Sequence, residues 1–297
     1  MLNIIGKRKT YYTISGIFIV ASIVALALWG LRLGIDFKGG SILEVNYLED
    51  GRPATNQLFD LLKPLNLNDL RISPVGDKAM VLRFKETDEV THQEILKILG
   101  LNSVIEERQF SSIGPTIGAE LKQKSIKAII IVLLGISLYI AWAFRKVSKP
   151  LSSWRYGVVT LLALFHDLII PIGLFAFLGH FYGAEIGTNF IVALLVILGF
   201  SVHDTIVVFD RIRENLKRYA SLEFAPLVNQ SVNETLVRSI STSFTVLLTL
   251  LALYIFGGES LQYFILTLMV GIFSGTYSSI FIASPVLISW FKILNKS

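Results

Sequence analysis

Long apolar runs broken by short charged connections dominate the chain. A bilayer span needs roughly 20 mostly apolar residues, and six stretches qualify: about 11–30, 127–144, 156–178, 189–210, 237–256 and 262–291. The second has no charged residue from Ala128 to Phe144. The sixth exceeds one span, so it is expected to tilt or to run into the interface. Residues 32–126 differ in kind, with acids and bases almost balanced and short runs in place of long ones. The pattern there predicts strand 41–48, helix 54–64, strands 69–75 and 79–84, helix 88–99 and strand 102–110. Leu43, Val45 and Tyr47 alternate on one face of the first strand, Pro64 closes the first helix, and Gly76-Asp77-Lys78 makes a hairpin turn. Val90, Ile95, Leu96 and Leu99 form the apolar side of the second helix, which Gly100 ends.

That order, βαββαβ, predicts a ferredoxin-like α+β domain, a fold that hosts many functions and names none. The expected fold is thus a polytopic α-helical membrane protein. It has six transmembrane helices and a ferredoxin-like extracytoplasmic domain between the first and second. Its parts are 1–31, 32–126 and a five-helix bundle at 127–297. The loop shows no nucleophile–base set and no metal-ligand spacing, so a binding or lever domain is expected rather than an enzyme.

Composition agrees, with 53% apolar and 16% charged residues in 297, against about 45–50% and 25% in soluble domains. The net charge of +5 would fit nucleic acid, but the placement of the charges excludes that reading. Lys7, Arg8 and Lys9 precede the first span, and Arg145, Lys146, Lys149 and Arg155 lie between the second and third. Arg211, Arg213, Lys217, Arg218 and Arg238 lie between the fourth and fifth, and Lys292 and Lys296 end the chain. The connections around 180–188 and 257–262 carry only Glu185 and Glu259. The positive-inside rule therefore places both termini in the cytoplasm, and a basic inner surface suits anionic lipid. Lys7–Lys9 with Ala25-Leu26-Ala27 would also fit a cleaved signal peptide, but the run from Tyr11 to Leu31 exceeds a signal core. A retained anchor is the expectation. The absence of Cys excludes disulfides and thiolate chemistry.

Ionisable side chains inside a span are costly and usually mark a pathway. His166 and Asp167 fall near the midplane of the third span, a turn before Pro171, which is expected to kink the helix. His203 and Asp204 fall in the inner half of the fourth, and Arg238 at the inner end of the fifth, above a Thr242, Thr245, Thr249 face. These five form the candidate proton-relay set. If the polar faces of the fourth and fifth spans meet, Asp204 and Arg238 make a switchable pair. Separating the pair then favours the protonated acid, and closing it the ionised one. His166–Asp167 reads equally as a relay or as a structural interhelical pair, and His203 as a hydrogen-bonded membrane histidine. Asp210, Arg211, Arg213 and Glu214 read as solvated charges at the inner surface. Gly34, Asp36, Phe37, Gly39 and Gly40, with Gly114, Pro115 and Gly118, tether the loop domain as hinges, tight entries or plain connectors. Gly271, Gly275 and Ser278 read as helix packing. No metal site is expected.

Seven stretches in order resemble one family: GIDFKGGS (34–41), SSIGPTIGAEL (111–121), ALFHDLIIPIG (163–173), GFSVHDTIVVFDRIREN (199–215), SVNETLVRSISTS (231–243), FGG (256–258) and GTYSSIFIASP (275–285). The chain is identified by them as a member of the SecD/SecF family of protein-export membrane proteins, in the resistance–nodulation–division superfamily. The resemblance implies one half of a twelve-helix assembly, with SecD as the other half. It implies no cofactor, with the proton gradient as energy source, and it links Asp204 and Arg238 to proton flow. The implied partners are SecD, the SecYEG translocon, YajC, the exported unfolded polypeptide and the lipid bilayer, in a bacterial cytoplasmic membrane. Lys38 stands where the family often has a small polar residue, and His203 where it often has Asn. A proton-driven small-molecule or lipid transporter half-unit is the alternative. An intramembrane hydrolase is disfavoured by the lack of HExxH and by only four His.

Overall fold

The computed structural model describes residues 1–48, 52–101, 103–145, 151–219, 222–258 and 261–294; expectations that rest on Asn102, Lys146, Lys149, Glu259 and Lys296 lie outside the described residues. Contacts divide the chain into two compact units, 1–32 with 127–185 and 189–297, and 33–126 with 186–188.

The second unit starts with α2, a single turn at Ile35–Lys38, followed by β1 (Gly40–Tyr47), α3 (Thr55–Leu62), a 3₁₀ turn at Lys63–Leu65, β2 (Arg71–Val75), β3 (Ala79–Phe84), α4 (Glu89–Leu99) and β4 (Ile105–Ile113). The strands form one antiparallel sheet in the order β2-β3-β1-β4. β4 runs three residues later than its sequence pattern indicates, because it pairs with the whole of β1, from Gly40↔Ile113 to Tyr47↔Ile105, through a bulge at Glu44/Val45. The two helices cover one sheet face. Leu43, Val45 and Tyr47 meet Met80, Leu82 and Phe84 there, under Leu58, Leu62, Ile95 and Leu99. Asp88 caps α4 by accepting the Thr91 N–H at 3.0 Å. Val90, expected on the apolar side of α4, is 67% exposed. His92 is buried instead, stacked on Phe110 and flanked by Glu89 and Glu107. A ring stacked on Phe110, with Nδ1 hydrogen-bonded to Glu89, fills a core-edge position that hydropathy alone awards to a valine.

The Tyr47 hydroxyl is buried without a hydrogen-bond partner among the described residues, and burial pushes its phenol up to about 12. An orphaned buried polar group costs about 1–3 kcal/mol. Tyr47→Phe keeps the ring and removes the orphan, so thermal scans of the purified protein should show a more stable domain. Because the folded-state value lies above the unfolded one, the wild-type contribution is intact below pH 10 and lost as pH rises towards 12. The Phe variant should not share that alkaline loss.

Among the described residues, six helices are long and apolar enough to cross a membrane: α1 (Arg8–Trp29), α5 (Pro115–Ala143), α6 (Ser153–Tyr182), α7 (Thr188–Arg218), α8 (Phe224–Phe256) and the stretch Gln262–Leu294. The helices outrun the apolar windows that predict them. α5 starts at Pro115, where proline's missing N–H is no loss at the first helical position, so much of the expected second tether is helix. α8 starts at Phe224, so the helix runs 13 residues beyond the apolar stretch that begins near 237, and Arg238 lies well inside the helix. α6 runs unbroken through Pro171. The sixth stretch divides into α9 (Gln262–Ser278), a π turn at Ser279–Ala283 and α10 (Ser284–Leu294). Pro285 cannot donate to the helix ladder, and the wide turn precedes it. α6 is largely enclosed, with α1 and α9 along it. Ser22 of α1 lies so close to Gly173 that any side chain at 173 would overlap it. Ile4 and Ile5 are buried, and Asn229 and Asn233 of α8 hold the backbone of Leu2, Ile4 and Ile5 with hydrogen bonds of 2.7–3.1 Å.

Candidate functional site

Two carboxylates lie buried among the helices of the first unit, and their surroundings differ. Asp167 on α6 is fully enclosed. Its Oδ1 accepts from His166 Nδ1 at 2.8 Å and from Ser274 Oγ at 3.4 Å. Its Oδ2 accepts from Ser278 Oγ at 2.8 Å and from Ser201 Oγ. His166 Nε2 faces Ser15 Oγ at 3.1 Å, so with Nδ1–H turned to Asp167 this nitrogen accepts the Ser15 hydroxyl. Four helices, α1, α6, α7 and α9, meet at this pair. Pro171 contributes as well, because its missing N–H frees the carbonyl of Asp167 four residues earlier.

Small residues permit the convergence. A Cβ on Gly275 would lie 2.8 Å from Ser201 Cβ, and one on Gly271 would overlap Ile197. Ser278 packs in the same stripe and also donates to Asp167.

Asp204 on α7 is 3% exposed but sparsely held. Ser243 Oγ lies 3.5 Å from its Oδ2, and that hydroxyl also lies 2.9 Å from the Ser239 carbonyl and 2.5 Å from Thr276 Oγ1. A hydroxyl has one hydrogen to donate, so the Ser239 carbonyl competes with the carboxylate for it. The Asp204–Arg238 pair expected from sequence is not closed: among the described residues no ion pair joins them, and Arg238 is exposed on α8. The Thr242, Thr245 and Thr249 face is exposed too, with each hydroxyl satisfied by the carbonyl four residues earlier. It is the Ser239–Ser243 face of α8 that meets Asp204. One residue of register, about 100° around the helix, separates the α8 face that sees the acid from the one that looks out of this chain. His203 is exposed, since neighbours on a helix point about 100° apart.

Asp210–Arg213 and Arg211–Glu214 pair within α7, and Arg211 also reaches Glu234. Ser15, Ser201, Ser239, Ser243, Ser274 and Thr276 escaped sequence reasoning because lone hydroxyl residues are common in membrane helices. Their signal lay in four-residue spacing: Ser239 and Ser243 share one face of α8, and Ser274 and Ser278 one face of α9, each turned to a buried acid on a neighbouring helix. No group of three His, Asp or Glu suited to a metal occurs among the described residues.

The tether residues form an interlocked joint inside the second unit. Gly39 and Gly40 have φ of 78° and 128°, which side chains rarely adopt. A Cβ on Gly39 would lie 2.8 Å from Pro115 Cα, and one on Gly118 3.0 Å from the Gly39 nitrogen. Phe37 is buried, Gly34 N–H donates to Ile186 O at 2.9 Å, and Gly114 O accepts from Gly118 N at 3.0 Å. Asp36 Oδ2 accepts from Thr188. This dense packing is that of a tight strand entry.

Six long apolar helices with buried carboxylates make this a multi-pass membrane protein. Comparison with known proteins narrows the class. Residues 94–293 match the family model described as protein export membrane protein SecD/SecF, C-terminal, and residues 25–47 match the SecD/SecF GG motif. The chain belongs to the SecD/SecF family. It is 43% identical over 311 residues to protein translocase subunit SecF of Thermobaculum terrenum, covering 98% of this chain and 94% of that one. It is 40% identical over 293 residues to the SecF of Anaerolinea thermophila, with the same coverage. The crystal structure of SecDF, a translocon-associated membrane protein from Thermus thermophilus, aligns over 97% of this chain at 32% identity with a TM-score of 0.82. A SecDF structure in the super-membrane-facing form aligns over 99% at 31% identity with a TM-score of 0.70. The chain spans 38% and 39% of those two longer chains.

Proposed function

We propose that this chain is the SecF subunit of a protein-export complex, one six-helix half of a proton-driven device that promotes passage of polypeptides through the SecYEG channel. SecF relatives matching nearly end to end support the export role. Alignment with about two fifths of the SecDF chains supports a SecD-like partner for the remaining helices. The observation that carries proton coupling is Asp204, a carboxylate buried against the Ser239–Ser243 face of α8 with no ion-pair partner among the described residues. An intramembrane acid of this kind usually marks an ion pathway.

In this reading Asp204 takes and releases the proton, and Arg238 stabilises the ionised form when the helices bring the two together. His203 borders that path. His166–Asp167, held by donors from three other helices, serves as the structural pin of the bundle. The membrane is the bacterial cytoplasmic membrane, with both termini inside, the loop domain outside and YajC as a further partner. The loop domain is of the ferredoxin-like type, a reading that rests on its strand–helix–strand–strand–helix–strand order and its β2-β3-β1-β4 sheet.

The test uses inverted membrane vesicles depleted of the chain and then resupplied. Restored export should vanish when a protonophore collapses the gradient, and a SecD-like chain should co-purify. Stimulation that survives the collapsed gradient would sink the proton reading. Because the chain has no Cys, one introduced at Asp77 should react with an impermeant maleimide only from the extracytoplasmic side.

A further inference from the structure

The first N–H groups of a helix have no partner within it and need a cap from elsewhere. α7 starts at Thr188, directly after Gly187, which has no side chain to supply one. The cap comes from 152 residues away. Asp36 Oδ2 accepts the Thr188 N–H at 2.6 Å and the Thr188 hydroxyl at 2.8 Å. Gly187 lets the carboxylate in, since a Cβ there would lie 2.6 Å from Asp36 Oδ2. Alongside, Leu33 bridges Ile186 in parallel, and Gly34 N–H donates to the Ile186 carbonyl. Asp36 lies in the single turn of α2, next to buried Phe37 and three residues before Gly39, which packs against Pro115 and Gly118. Three parts of the chain, 33–40, 114–118 and 186–188, thus make one joint, and residues 186–188 group with the loop domain. From Thr188 the helix runs unbroken to Arg218. Asp204 lies about 24 Å along it, at 1.5 Å per residue.

We propose that Asp36 is a positioning residue that clamps the first turn of α7 to the tether of the loop domain, so that the helix bearing Asp204 starts from a point carried by that domain. A negative charge at a helix N-terminus is favourable, and one oxygen serving two donors makes the clamp directional. The part of this inference that concerns proton coupling rests on the Asp204 reading, whereas the clamp does not.

The experiment uses the full chain in membranes with its native partners. In Asp36→Ala, hydrogen exchange in the first turn of α7 should speed by about tenfold, in line with the loss of a strong cap. Gradient-dependent export should fall by a similar factor at normal protein level. Asp36→Asn keeps an acceptor oxygen and should lie close to wild type, as should Thr188→Ser, which keeps both donors. With Cys at both 36 and 188, export should be low when reduced and recover when the two are joined by oxidation, a rescue that a purely structural cap would not give. Unchanged exchange in Asp36→Ala overturns the clamp. Faster exchange with undiminished export, or a fully formed crosslink that restores nothing, overturns the positioning role. Asp204→Asn is run in parallel. If it exports normally while Asp36→Ala fails, the Asp204 reading falls and the clamp stands.

Discussion

Asp204→Asn should leave the protein folded, inserted and partnered, and should abolish the gradient-dependent part of export. Asn matches Asp in size and still accepts from Ser243, so the packing that buries the site survives. It cannot release a proton. One proton crossing a 100 mV potential supplies about 2.3 kcal/mol, equivalent to about 40-fold in an equilibrium, and that is the scale of stimulation at risk. In inverted vesicles the gradient-independent part of export should continue while the response to the gradient is lost. Asp204→Glu keeps a titratable carboxyl on a longer stem and should retain partial activity. Arg238→Met should resemble Asp204→Asn, although no ion pair joins Arg238 to an acid among the described residues, because its proposed role is played only when the helices move. Normal gradient-dependent export by Asp204→Asn at normal level would remove Asp204 from the mechanism and leave His166–Asp167 as the next candidate.

Asp167→Leu should fail for another reason. Four donors from α6, α7 and α9 end on this carboxylate. Replacing it with an apolar side chain leaves hydroxyls and an imidazole unpaired in a dry site. Each orphan costs about 1–3 kcal/mol, so a loss on the order of 3–5 kcal/mol is expected after relaxation, seen as low steady-state level and a reduced melting temperature of the purified complex. Asp167→Asn keeps one full acceptor and the shape. It should recover most of the level and, on the structural reading, most of the export. An Asp167→Asn protein of normal stability that exports nothing would instead make Asp167 a relay acid.

Sequence and structure agree where a single physical rule decides. Six apolar runs foretold six long helices, and alternation at Leu43, Val45 and Tyr47 foretold the buried face of β1. They part where partners decide. The ends of α5 and α8 were hidden because their first turns are polar and hydropathy sees only the apolar middle. The position of β4 depended on pairing with β1, which no local window contains. Val90 and His92 exchanged places because two glutamates and a phenylalanine ring suit a histidine there. At the candidate site both acids were legible from the cost of their burial. Their partners were not, since hydroxyls from other helices are fixed by packing at Gly271 and Gly275. The tether glycines were conspicuous in the sequence, but a glycine can mark freedom or crowding, and contact with Pro115 and Gly118 decides for crowding.

The wide turn at Ser279–Ala283 sets the phase of the last helix. It inserts one residue beyond the ordinary α repeat, so the wheel of α10 is rotated by about 100° relative to that of α9. Leu287 and Ile288 point inward only in that rotated frame, while Ser274 and Ser278 keep their aim at Asp167 in the unrotated one. A one-residue deletion within 279–283 would let ordinary hydrogen bonding run straight through, yet it would swing the inward side of α10 away from its neighbours. The stretch therefore works as a vernier: two helical faces with different targets share one continuous rod, and chain length, more than residue identity, keeps them aligned.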